Sequence, residues 1–92
     1  MLIKLLWKRW KLRFVPTLAK DKRGDIDPPE TVGKTIRVLS GLKGQEKLEI
    51  IIHESLHAAF WFLDEEYVHT FAEDIAKVLW DLGLRWKDEN DE

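Results

Sequence analysis

Two histidines four residues apart, His53 and His57, with an acid between them at Glu54, are the side chains of this sequence best suited to chemistry. On a helix that spacing places both imidazoles on one face, about one turn apart, where both can reach a single divalent ion. Glu54 lies beside them on the same side and can hydrogen-bond a water held there without being a ligand itself. Zinc lowers the pKa of such a water toward ~7, and a neighbouring carboxylate can take its proton for attack on a polarised carbonyl. This is the physical content of the pattern H-E-x-x-H. The chain has three histidines, and two of them fall in the pattern. The plainer reading is a pair of helix-surface histidines with an ordinary glutamate between them.

A zinc site needs a third protein ligand. The candidates are Glu65, His69, Glu73 and Asp74. Glu65 shares an edge with the apolar residues Val68, Ala72 and Ile75, which turns it toward the first helix. A hairpin turning at Leu63-Asp64 would instead put His69 level with His57 and Glu73 level with His53. Glu65 is preferred, then His69, then Glu73 or Asp74, and the choice stays open. Each also has an ordinary role as a solvated helix position, and Glu65 suits the positive N-terminal end of a helix.

The elements that must hold these residues can be read from periodicity. Trp10, Leu12 and Phe14 alternate with Lys11 and Arg13, which predicts a strand over about 6–15 ending at Pro16. Residues 1–6 either extend it or form a turn of helix. Gly24, Asp25, Asp27, Pro28, Pro29 and Gly33 mark residues 19–33 as loop. A second strand is predicted over 34–39. A helix starts near Gln45, with Leu48, Ile51, Ile52, Ser55, Leu56, Ala59 and Leu63 as its buried stripe. Ile50, His53, Glu54, His57 and Trp61 cluster beside that stripe. Asp64 is a natural N-cap for a second helix, whose apolar stripe runs from Val68 through Phe71, Ala72, Ile75, Val78 and Leu79 to Leu82, with Gly83 as its stop. The expected fold is α+β: short antiparallel strands, then an antiparallel two-helix hairpin. Residues 1–86 form one domain, and 87–92 an acidic tail.

At 92 residues a core is thin, and a bound metal would add useful stability. Five tryptophans are many for this length. They read first as large side chains that supply burial, with Trp61 as the one able to line a pocket beside the metal. The net charge of -2 gives no general attraction to nucleic acid or membrane. Residues 1–15, however, carry Lys4, Lys8, Arg9, Lys11 and Arg13 with no acid. That is either solvated surface or a basic strand that touches nucleic acid or an acidic partner. There is no cysteine, so disulfides and thiolate sites are excluded and a cytoplasmic setting fits. The apolar N-terminal stretch is interrupted by Lys4 and reads as no signal peptide, and no run is long enough to span a bilayer.

The stretch 34–38, followed by 48–58 with its H-E-x-x-H, resembles the strand-then-helix core of small zincin metallopeptidases, in the style of the SprT-like and phage-encoded minimal members. The later runs 63–66, 74–76 and 79–83 look like short phage and bacterial proteins with the same pattern. The resemblance implies His53 and His57 as zinc ligands, Glu54 as general base, a peptide or protein substrate, and residues 34–39 as an edge that aligns an extended peptide. The sequence lacks a third histidine at the metzincin spacing and a second domain to close a cleft. Two other functions therefore stand beside peptidase: a non-catalytic, zinc-stabilised interaction module, and a small phage-type effector that binds a partner through its aromatic or basic surface.

Overall fold

The N-terminal basic stretch folds into a tight hairpin. In the computed structural model, which describes residues 1–87, strand β1 (Leu2–Leu5) pairs antiparallel with β2 (Lys8–Val15). Only Leu6 and Trp7 separate them, both in the left-handed region with φ of 45° and 69°. Two consecutive positive φ values are what a two-residue hairpin turn matched to strand twist requires.

After β2 the chain passes a 3-10 turn at Ala19–Asp21 and forms β3 (Gly24–Ile26). Strand β4 (Thr35–Leu39) then returns between β2 and β3, giving the sheet order β1-β2-β4-β3. The segment expected to be loop therefore contains an edge strand. That strand adds a chain reversal, so β4 runs parallel to β2, whereas the β1–β2 and β3–β4 pairs are antiparallel. β3 is tied to β4 by charge. The guanidinium of Arg37 donates to Asp25 Oδ1 and Asp27 Oδ1, each at 2.6 Å, and Thr35 N donates to Asp27 Oδ2 at 3.0 Å.

The sheet's inner face carries Trp10, Leu12, Ile36 and Val38, and helix α1 (Gly44–Ala59) covers it with Ile50 and Ala58. Ile36 and Val38 are fully buried, and burial of such side chains is worth about 1.5–3 kcal/mol each. Helix α2 (Glu65–Asp81) packs on the other side of α1 through Val68, Ala72 and Ala76, all at 0% exposure. The small alanines let the two helices approach closely. Gly83, at φ 107°, follows the last turn of α2 as its stop. The layers are thus sheet, α1, α2, in the expected α+β class.

Several details differ from the periodicity. The fully buried line of α1 is Leu48, Ile50, Glu54 and Ala58, because α1 is sandwiched between two layers. Ile51, Ile52, Ser55, Leu56 and Ala59 are half-buried, and Leu63 lies in the link after α1. Phe71 and Val78 on α2, and Leu82 just after it, are exposed. Asp64 occupies the N-cap position, but its side chain makes no cap hydrogen bond. Among the tryptophans only Trp10 enters the core, while Trp7 is 83% exposed. Apart from Lys87, the acidic tail lies outside the described residues.

Candidate metal centre

The helical turn from His53 to His57 faces the start of α2. His53 Nε2 lies 2.9 Å from Glu65 Oε1, and His57 Nε2 lies 2.7 Å from Glu65 Oε2. One carboxylate thus meets both imidazoles, one oxygen each, and the two rings sit 4.9 Å apart, edge to face. Ligand atoms of these three residues lie within 4.8 Å of one another, close enough for a shared ion. Two neutral imidazoles and one carboxylate form the donor set of open zinc sites, which keep one coordination place free. The residues present fit such an ion.

The link between the helices, residues 60–64, explains why Glu65 is the residue at this level. It is longer than a turn at Leu63-Asp64, so α2 enters one turn further along than that turn implies. His69 accordingly stands near His53, with ring centroids 6.0 Å apart, and not level with His57. Glu73 groups with Glu49 and His69 in a second cluster able to hold an ion, and not with His53. Asp74 belongs to neither cluster among the described residues. Glu49 escaped the sequence reading, although it lies four residues before His53 on the same helix face.

Glu54 does not join the imidazoles. It is 8% exposed, in the buried line of α1, beneath β3. Gly24 makes this possible. It pairs with Val38 on the inner face of the sheet, and a Cβ there would lie 2.8 Å from Ile50 Cγ2 and 3.0 Å from Glu54 Cγ. Burial pushes the Glu54 carboxyl up to about 7, and the negative charges of Glu65 and Asp25 push the same way, while Lys22 opposes them. A carboxyl near neutrality is able to take and return a proton. His53 is held below its usual value, mainly by burial and further by His57 and His69, although Glu65 pulls it upward. The neutral imidazole is the form that ligates a metal.

No family model, curated protein or solved structure matches this chain. What the arrangement can do rests on its own geometry. A cleft of about 480 Å³ opens between the 21–26 segment, α1 and the start of α2, and His53, Glu54, His57, Glu65 and His69 line it. Strand β3 forms one wall. Thr35 O accepts from Asp27 N and Arg23 O accepts from Leu39 N, so residues 23, 25 and 27 spend their backbone groups on β4. By the alternation of an antiparallel ladder, the backbone N–H and C=O of Gly24 and Ile26 point to the free edge. Residues 34–39 offer no such edge, because β4 pairs with β2 on one side and β3 on the other. Trp61 is half exposed beyond the end of α1 and does not line the cleft. Among the described residues no helix is long and apolar enough to cross a membrane.

Proposed function

We propose that this chain is a minimal zinc-dependent metallopeptidase of the zincin type. The observation that carries the reading is one carboxylate, Glu65, meeting the Nε2 atoms of both His53 and His57, with the buried acid Glu54 lining the same cleft. His53, His57 and Glu65 hold the ion. When bound, zinc supplies an acidified water and polarises a carbonyl. Glu54 acts as general base and then returns its proton to the leaving amine. An extended peptide lies along the free edge of β3 and takes the backbone groups of Gly24 and Ile26, as in β-strand addition. Gly24 on that edge lies against Glu54, which would bring a scissile bond near the base. A cytoplasmic setting suits a chain with no cysteine.

The test is zinc loading followed by turnover on a mixed peptide library. Glu54→Gln should retain one zinc per chain and lose about 10²–10⁴-fold in rate, the usual contribution of a general base. Turnover by Glu54→Gln equal to that of the parent protein would refute the assignment. A second reading, a closed zinc site that only stabilises an interaction module, draws on His69 standing 6.0 Å from His53, where it could become a fourth ligand. Zinc retention that depends on His69, with no cleavage of any peptide, would favour that reading.

A further inference from the structure

The sheet has two faces, and among the described residues helices cover only one. The inner face carries the core, while the outer face of β1 and β2 presents Lys4, Arg9, Lys11 and Arg13, all exposed. Lys4 stands directly opposite Arg9 across the hairpin. Like charges placed opposite one another destabilise a strand pair. Neither strand contains an acid, and among the described residues none of these four side chains makes an ion pair. The acids that reach this face of the sheet, Asp25 and Asp27, are both bound to Arg37 on β4, the residue level with Arg13. In a chain of net charge -2, this cationic face is a local concentration of charge that no acid among the described residues answers.

The spacing and the neighbouring residue narrow what answers it. Arg9, Lys11 and Arg13 project from alternate positions of one strand, so their stems recur about every 6.7 Å in a straight line. A regular polyanion in extended form presents charges in such a series, whereas the acids of a protein surface are irregular. At the turn end of the stripe Trp7 is 83% exposed on a backbone of positive φ. An exposed indole beside a cationic track is the pairing that binds single-stranded nucleic acid, bases stacking on the aromatic ring while phosphates follow the cations. We propose that the outer face of the β1–β2 hairpin binds single-stranded nucleic acid, with its phosphates along Lys4, Arg9, Lys11 and Arg13 and a base on Trp7. This surface lies on the opposite side of the sheet from the metal cleft, and the inference stands without the peptidase reading.

The experiment is fluorescence anisotropy of the full chain with a labelled single-stranded oligonucleotide over a range of salt. Each phosphate neutralised contributes about −0.7 to the slope of log affinity against log salt, so four cations give a slope near about −3. Lys11→Gln with Arg13→Gln should bring it to about −1.4. Trp7→Ala should weaken binding at least about fivefold with the slope unchanged. Lys77→Gln, on α2, is the control and should leave binding as it is. All four cations are exposed, so circular dichroism should show the variants folded. No binding at about 50 mM salt, a slope indifferent to the Lys11 and Arg13 changes, or equal binding of a poly-glutamate peptide would each overturn the proposal.

Discussion

Helix α1 is gripped from two sides, and the two seams are built by different means. On the sheet side, β3 presses onto it through Gly24, and what the seam encloses is a carboxyl, Glu54, with 8% exposure. On the other side α2 approaches over Val68, Ala72 and Ala76, and the end of that seam holds the two imidazoles against Glu65. The first seam has no room, because a single Cβ would collide with Ile50 and Glu54. The second is open at its end, and the Glu65 side chain is 68% exposed. An acid meant to stay near neutrality needs burial, whereas ligands for an exchangeable ion need access. On the proposed reading, each group has the side it requires.

The helix–helix seam should give the largest effect. Loss of an outer partner of a metal ligand usually costs 10–100-fold in affinity, so losing a ligand itself should cost more. His53→Ala and His57→Ala are each expected to lower zinc affinity by more than ~100-fold, measured by competition with a chromogenic chelator. Glu65→Gln should fall within about 10–100-fold, since the amide oxygen keeps its place at the exposed end of the seam. An unchanged affinity in Glu65→Gln, with a large loss in His69→Ala, would show that the ion is held one turn further along α2.

The sheet-side seam should respond to volume and not to charge. Gly24→Ala forces Ile50 or Glu54 to move, and overpacking of this kind costs about 1–3 kcal/mol. Gly41→Ala has nothing within 4 Å of the new methyl and no positive φ, so it should be neutral or stabilising by up to about 1 kcal/mol. Urea unfolding of the two variants measures the difference. Equal stability would mean that β3 does not bear on α1, and the comparison of the seams would fail.

Much of this was legible in the residues, and the rest was hidden for identifiable reasons. The two helices and β4 announce themselves by period, because each buries an apolar face. The His53–His57 pair is a local spacing on one helix, and the edge beside Val68 and Ala72 favours Glu65 as the facing carboxylate without deciding it against His69, Glu73 or Asp74. The β1–β2 turn was not readable: its positive φ values fall on Leu6 and Trp7, where the sequence has no asparagine or glycine to signal them. β3 was hidden for another reason. Its three residues, Gly24, Asp25 and Ile26, look like loop, and what holds them is the ion pairing of Asp25 and Asp27 to Arg37, a long-range contact with no periodic trace. Missing that strand also reversed the expected direction of β4. The role of Glu54 as the buried member of α1 depends on the same strand.

The attachment of β3 should therefore be sensitive to acid in a defined direction. The Arg37 guanidinium, with the Thr35 amide, holds the Asp27 carboxyl below its ordinary 3.8, despite some opposing burial. A carboxyl lowered by folding contributes stability that is fully present above its unfolded value. That contribution fades as the pH falls below about 3.8 and is lost once it passes the lowered folded value. Arg37 stays charged throughout, so this loss comes from protonation of the Asp27 carboxylate and not from the guanidinium. Asp27→Ala should cost about 1.5 kcal/mol at pH 7, the lower end for hydrogen bonds to a charged group, because the pair is a quarter exposed. The gap between the urea midpoints of the parent and the variant should be smaller at pH 3 than at pH 7. If the gap between them were the same at both pH values, the Arg37 contact would not be what fastens β3, and the wall over Glu54 would need another anchor.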